Sequence, residues 1–300
     1  MRWLGSLRAA GHASSRGLEV PLPVEIERRA DRAWPAEEQL ALGPWTLRAT
    51  HGVTNRANSV FTAPPAGAAL PAPDAGPALV EAAEAFYARR GLPPVFHLSP
   101  ATWPPALDTL LARRGYLVHQ PSEVWVADPR VVLARTTPGA EGTEAASSLE
   151  TPLAPEGTSF LSGPGELLVA SRADRAWVDF AYEEAGERRA IHEAIVGRIR
   201  KPCAFVSIRV RGVPVATGLG VSDAGWTGVF SMLTRSDHRG RGLASAVLHR
   251  LAAWACERGD LGLYLQVLGA NATARRLYAG HGFTLAHAYY YRHRPAGNFR

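Results

Sequence analysis

The chain has 300 residues, 46% of them hydrophobic and 20% charged, enough for a sizeable core and for two domains of ordinary size. Its formal net charge of +6 comes from 33 basic residues against 27 acids, and Lys201 is the only lysine. The arginines are spread along the whole chain rather than gathered in a patch or tail, which argues against a nucleic-acid binder.

Nowhere does an apolar run approach the roughly 18 residues of a membrane span, so no membrane association is expected. The start, Met1-Arg-Trp-Leu-Gly-Ser-Leu, has no continuous apolar signal core. Cys203 and Cys256 are the only cysteines, too few for a disulfide framework or a cysteine-based metal site. No metal is expected, and a cytoplasmic location is.

Residues 1–20 have no clear period and are predicted to be a flexible tail. Residues 21–135 form a first domain-sized segment. Thr136 to Gly157 is rich in Thr, Pro, Gly, Glu and Ser, so 136–160 reads as a linker and 161–300 as a second domain. Ala173 to Arg200 is helix-rich, with Ala190, Ile191, Ala194, Ile195 and Ile199 at helical spacings. Alternation then predicts strands over 204–210, 213–221 and 226–234, joined by short glycine turns and therefore antiparallel.

After Thr234 the period changes. Arg235 to Gly242 is polar, and from Leu243 an apolar stripe of Leu243, Val247, Leu248, Leu251, Ala252 and Ala255 predicts a helix that Gly259 ends. Leu263, Leu265 and Val267 alternate as a strand. Asn271 can cap a helix through Tyr278, stopped by Gly280 or Gly282, and Phe283 to Arg292 is strand-like.

The two segments repeat one another. AEAFYARRGLPPVFHLS resembles AAWACERGDLGLYLQV, and LLARRGYLVHQPSEVWV resembles RLYAGHGFTLAHAYYYR. Gly91 aligns with Gly259 at an offset of 168 and Gly115 with Gly282 at 167, as duplication of a helix–strand–helix–strand unit would give. The first copy has a proline-rich stretch from Ala63, poor in free amides, where the second has its Arg/Gly loop.

That loop, Arg239-Gly240-Arg241-Gly242-Leu243-Ala244, lies between a strand and a helix. Its glycines let successive N–H groups point into one concavity, and the helix N-terminus and two arginines add positive charge, a site suited to a pyrophosphate. An ordinary glycine turn with exposed arginines is the alternative. The loop lacks the Lys-Ser/Thr of a phosphate-binding P-loop, and it follows an antiparallel meander rather than opening a βαβ unit, against a dinucleotide fold.

On these residues the segment 165–300 resembles the GNAT acetyltransferase superfamily. The family's loop pattern appears as Arg239-x-x-Gly242-x-Ala244, followed by Asn271-x-x-Ala274-x-x-Leu277-Tyr278 and Gly282-Phe283. The resemblance implies an α/β (α+β) chain of tandem GNAT-like acyl-CoA N-acyltransferase folds, each a mixed, mostly antiparallel sheet with helices on both faces. It implies that the first copy is degenerate and that the second takes acetyl-CoA between two splayed strands. Backbone groups of Met232, Leu233 and Thr234 would meet the pantetheine arm. Gly240, Arg241, Gly242, Leu243, Ala244 and Ser245, with Arg239, would hold the pyrophosphate, and Asn271 would bond the arm. Tyr278 would give a proton to the leaving thiolate, a task its phenol can perform; by itself it could equally be a core aromatic.

No base is singled out. Gln266 stands where relatives that acetylate protein N-termini carry Glu, and it takes no proton. His192, Glu183, Glu184 and Glu187 lie on the helical region, and each reads as solvated there. A water relay would need none of them.

The first segment resembles a narrower bacterial group of two-GNAT proteins commonly described as N-acetylglutamate synthases. The resemblance rests on Trp34-Pro35, Leu42 to Ala49, Gly52 to Val60, Tyr87 and Gly91-Leu92-Pro93-Pro94. Arg56 and Asn58 could bind a substrate carboxylate at the domain interface, or could lock a turn. The function implied is acetyl transfer to the amine of a small molecule or amino acid, with glutamate as one candidate. Acetylation of protein N-termini and non-catalytic acyl-CoA binding are the alternatives.

Overall fold

The structure is a computed structural model that describes residues 18–65, 67–135 and 165–294. The expected linker 136–160 and residues 1–17 of the expected tail lie outside the described residues.

The first half runs α1 (Pro23–Ala33), β1 (Glu38–Leu42), β2 (Trp45–Ala49), β3 (Val60–Phe61), α2 (Gly76–Ala88), β4 (Val95–Leu98), α3 (Leu107–Arg113), β5 (Leu117–Ala127) and α4 (Pro129–Ala134). The second runs β6 (Gly165–Ala170), α5 (Arg175–Ala181), α6 (Arg189–Gly197), β7 (Cys203–Val210), β8 (Val213–Asp223), β9 (Trp226–Thr234), α7 (Leu243–Glu257), β10 (Gly262–Leu268), α8 (Ala272–Gly280) and β11 (Thr284–His293). Every element predicted after Ala173 is present within a few residues. Asn271 caps α8, its side chain accepting from the Ala274 amide at 3.0 Å, and Gly259, at φ +73°, follows α7.

The eleven strands among the described residues join one sheet, in the order β1-β2-β3-β4-β11-β5-β10-β9-β8-β7-β6. The order shows an exchange. Strand β5, the last of the first half, pairs antiparallel with β10 on one edge and β11 on the other. Strand β11, the last of the second half, sits between β4 and β5. Each half thus supplies the strand that fills the other's ladder, and the duplicated units share one sheet.

Among the described residues, three apolar cores cover the sheet. Helix α7 lays its stripe on one face, with Val247, Leu248, Leu251, Ala252 and Ala255 fully enclosed. Full burial of each leucine there is worth about 1.5–3 kcal/mol. Helix α2 covers the corresponding face of the first half with Val80, Ala83 and Phe86. The third core lies on the opposite face and belongs to both halves. Ile26, Ala30, Ala33 and Trp34, from α1 and the residue after it, join Phe230, Tyr264, Tyr289 and Tyr291 there. At its rim the buried Asp223 carboxylate pairs with Arg32 at 2.6 Å and Lys201 at 2.8 Å. Burial pushes that carboxyl up, but the two cations outweigh burial and hold it below the usual range.

Candidate functional site

Strands β9 and β10 run parallel, with ladder pairs from Gly262–Trp226 to Leu265–Val229. Pairing stops there, although β9 continues to Thr234 and β10 to Leu268. The strands therefore part after Val229 and Leu265. On its other edge β9 bulges: Thr217 pairs with Leu233 and Leu219 with Phe230, so Ser231 and Met232 together face Gly218. Ser231 takes φ +48° at this bulge. Glycine is required opposite it, because a Cβ on Gly218 would come within 2.6 Å of Val247 and 2.8 Å of the Met232 sulfur. The bend presents one edge of Met232, Leu233 and Thr234 to the split.

The chain leaves β9 through a short 3-10 turn, Ser236–His238, into the Arg/Gly loop. Gly240 and Gly242 both take φ +75°, and a Cβ on Gly240 would meet nothing, so the loop is open on that side. Gly242 stands at the N-cap of α7 in the left-handed conformation and offers no side-chain cap. The first amides of α7, at Leu243, Ala244 and Ser245, therefore have no partner within the helix. The acid of the loop, Asp237, is engaged by Arg235 at 3.0 Å and His238 at 2.7 Å. Hydrogen bonds from Arg235 and then His238 hold its carboxyl far below the usual range. Arg239 and Arg241 instead donate to main-chain carbonyls, of Thr234 at 3.3 Å and Asp237 at 3.1 Å, and no acid among the described residues pairs with them. Glycine backbone, a bare helix start and two guanidinium groups fit a pyrophosphate.

Beside the end of β9 lies a cavity of about 430 Å³. Leu233, Thr234 and Arg239 form one wall, and Tyr182, Glu183, Glu184 and His192 the other. The His192 ring stacks on Tyr182 with centroids 4.5 Å apart and meets Trp34 edge-on at 6.5 Å. Burial lowers its pKa, which keeps the imidazole neutral near pH 7. The Tyr182 hydroxyl lies 3.1 Å from Ser231 Oγ on the bulge, and burial pushes that phenol up to about 12. Glu183, Glu184 and His192 read in the sequence as solvated helix residues. They face this cavity because a 3-10 turn over Glu183–Arg188, with Gly186 at φ +54°, breaks the helical region in two.

Tyr278 is buried on the α7 side of the sheet, in the core that holds Val229, Leu265 and Val267, with its ring 5.8 Å from Phe283. Burial pushes its phenol up to about 12. Asn271 is exposed; its carbonyl oxygen is used as the α8 cap, which leaves its Nδ2 donors for a ligand.

The two first-half candidates separate. Asn58 is locked into its own loop: its oxygen accepts from the amides of Thr50 at 2.6 Å and Gly52 at 2.9 Å. Its nitrogen donates to the carbonyls of Thr50, Val53 and Thr54. That amide has no capacity left for a substrate, so the turn-locking reading replaces the carboxylate one at Asn58. Arg56 instead reaches the second half, its guanidinium carbon 5.2 Å from the Phe230 ring and 5.9 Å from Trp34. Tyr182 and Phe230 were not singled out from sequence, where each is an unremarked apolar position, and Trp34 was marked there only as part of a resemblance.

No helix among the described residues is long and apolar enough to cross a membrane. No group of three or more His, Cys, Asp or Glu among them is placed to hold a metal ion.

Known proteins with this arrangement are numerous. A family model described as "Probable histone acetyltransferase Rv0428c C-terminal" matches residues 24–292. The uncharacterised N-acetyltransferase YobR of Bacillus subtilis is 30% identical over 272 residues, which span 89% of this chain and 97% of the relative. Among solved structures, a GCN5-related N-acetyltransferase from Kribbella flavida aligns with a TM-score of 0.60 and 19% identity, over 94% of this chain and 98% of that one. A tandem GNAT protein from the clavulanic acid biosynthesis pathway, solved without AcCoA, aligns with a TM-score of 0.58 and 12% identity, over 94% and 91%. The last two show the shared fold, and acetyl-CoA is that fold family's cosubstrate. With one family model and one close relative each spanning nearly its whole described length, the chain belongs to the GNAT superfamily of N-acetyltransferases.

Proposed function

We propose that this N-acetyltransferase moves the acetyl group of acetyl-CoA to the amine of a small molecule or amino acid, and that the second half alone holds the cosubstrate. The observation that carries the reading is the continuity of the β9–β10 split with the open glycine loop and the bare start of α7. At the matching place the first half has Pro64, Pro65, Pro71 and Pro73, which lack amides to offer.

Acetyl-CoA would supply an acyl group activated as a thioester. The amides of Gly240 to Ser245, with Arg239 and Arg241, would hold its pyrophosphate, and Asn271 Nδ2 would donate to the pantetheine arm. The free edge of Met232, Leu233 and Thr234 would bond that arm and offer an N–H to negative charge developing on the carbonyl oxygen. His192 is the base we assign: its neutral ring faces the cavity beside Leu233 and Thr234 and would take the proton of the attacking amine. Tyr278 would face the departing sulfur. With its phenol at about 12 it stays protonated at neutral pH, so it acts as a hydrogen-bond donor to the thiolate.

Titrating acetyl-CoA by calorimetry tests the binding half of this reading. A free-thiol release assay over a panel of primary amines and amino acids tests the transfer half. Micromolar binding and amine-dependent thiol release are expected. Tight binding with no amine accelerating release would leave a CoA-binding protein and defeat the acceptor assignment.

A further inference from the structure

The cavity beside the end of β9 carries two carboxylates that the fold has not used. Glu183 and Glu184 both line it. Neither makes a hydrogen bond or ion pair among the described residues, and Glu183 acts on Arg235 only at longer range. Three other acids of the surrounding helical region do have arginine partners. Asp174 pairs with Arg209, Asp179 with Arg175 at 2.9 Å and Arg189 at 3.3 Å, and Glu193 with Arg175 at 3.8 Å. In a chain with 33 basic residues against 27 acids, such partners are plentiful. Two adjacent carboxylates left without one repel each other and favour an added cation.

The cations on the same cavity are committed elsewhere. Arg235 holds Asp237 through Nε at 3.0 Å and Nη2 at 3.3 Å. Arg239 goes to the pyrophosphate, which brings negative charge of its own. His192 is neutral near pH 7 and adds none. With acetyl-CoA in place, the charge left facing the acceptor is therefore that of Glu183 and Glu184. Phe180, Ala181, Ala185 and Leu233 give the wall apolar surface besides. The volume, about 430 Å³, lies in the range that encloses a small ligand rather than a lone amine nitrogen.

We propose that Glu183 and Glu184 select an acceptor with a second ammonium group, joined to the reacting amine by a short apolar chain. This rests on the acetyl-transfer reading above, which brings the reacting amine beside His192 and Thr234. The carboxylates hold the far ammonium, the apolar wall covers the chain, and the near nitrogen attacks. The far cation also favours loss of a proton from the near amine, because two like charges on one short chain oppose each other. A carboxylate at the far end would meet two charges of its own sign. The acceptor is thereby narrowed to a diamine, against an acidic amino acid.

The test is a matched series at saturating acetyl-CoA: putrescine, pentylamine and δ-aminovalerate. These carry an ammonium, a methyl group and a carboxylate at the far end of the same methylene chain. The wild type is expected to use putrescine about 10- to 100-fold better than pentylamine in kcat/KM, the range of a charge-assisted hydrogen bond, and δ-aminovalerate worst. In the double variant Glu183→Gln with Glu184→Gln, the preference for putrescine should shrink to within about threefold of none. Both side chains are exposed, so the amides keep the fold. Glu187→Gln is the control, since it removes an equal charge from the same turn but not from the cavity wall, and it should keep most of the preference. Equal use of putrescine and pentylamine by the wild type overturns the proposal. So does an equal fall on both amines in the double variant, or a matching loss of preference in Glu187→Gln. A readout without turnover separates this proposal from the one beneath it. N-acetylputrescine and N-pentylacetamide are titrated into protein saturated with CoA. Tighter binding of N-acetylputrescine, lost in the double variant, supports the ammonium site even if no amine releases thiol. CoA binding with no preference between the two overturns the site and leaves acetyl transfer standing.

Discussion

Ser122, near the middle of β5, pairs with Leu268 of β10 on one side and with Tyr289 of β11 on the other. A first-half strand is thus held on both edges by the second half, and β11 is likewise held by β4 and β5. Neither half has a complete sheet alone, because removing the partner exposes two ladder edges and the shared core around Trp34 and Phe230. A chain cut within 136–160 should therefore yield pieces that fail to melt cooperatively when purified apart and recover a single transition when refolded together. Calorimetry reads both. A native-like transition from either piece alone would show the exchange to be dispensable.

Much of this was legible before the fold was known, and the division has physical causes. The change of period at Thr234, from alternation to a stripe beginning at Leu243, located β9, the loop and α7. Gly242 and Asn271 marked the starts of α7 and α8 for conformational reasons that the structure bears out. The exchange of β5 and β11 was not legible, since alternation tells which residues face a core but not which strand lies alongside. Nor could the sequence separate Arg56 from Asn58, two residues apart in one polar turn. Only the fold shows that five backbone groups saturate Asn58 while Arg56 reaches across to Phe230. The wall of Tyr182, Glu183, Glu184 and His192 was hidden for a similar reason: a turn at Gly186, rather than any helical period, faces it to the cavity.

Gly242 takes φ +75° at the start of α7, where a side chain is strained and a negative one would face the phosphate cradle. Gly242→Ala should cost about 1 kcal/mol of stability, from the left-handed backbone alone. Gly242→Asp should add repulsion and weaken acetyl-CoA at least about 100-fold in calorimetric titration, while the protein still melts cooperatively. Undiminished binding in the aspartate variant would remove the loop from the cosubstrate site.

Tyr278→Phe removes one hydroxyl and keeps the ring that packs beside Phe283. If the phenol donates to the leaving sulfur, kcat should fall by about 100-fold with the Kd for acetyl-CoA nearly unchanged. Parallel losses in kcat, Kd and thermal stability would make Tyr278 a packing residue. A kcat within twofold of wild type would leave the thiolate to take its proton from solvent.

His192 works as a base only when its ring is neutral, and burial lowers its pKa below the ordinary value of about 6.5. The folded protein therefore keeps the active form at neutral pH, and kcat/KM should fall only as the pH drops through a midpoint below about 6.5. In His192→Asn the rate should be lower at every pH and that acid limb should vanish. An unchanged limb would assign it to another group, and an unchanged rate would leave the amine's proton to water.

His97 gives the fold its own acid sensitivity. It is wholly enclosed, Tyr289 and Tyr291 lie 4.8 and 5.4 Å away, and its Nδ1 has no partner among the described residues. Burial is the main cause that brings its pKa to about 4, with Arg48, His287 and Arg56 adding to the effect against Glu27. Above pH 6.5 neither folded nor unfolded chain carries a proton on this ring. Between 6.5 and 4 the unfolded chain takes one and the folded chain does not, so stability falls across that window, by about 3 kcal/mol at its lower end. His97→Phe keeps an aromatic ring among aromatic neighbours and has no proton to gain. Its melting temperature should match or exceed the wild type's at pH 7 and decline less steeply from pH 6.5 to 4. Parallel declines in the two proteins would place the acid sensitivity elsewhere.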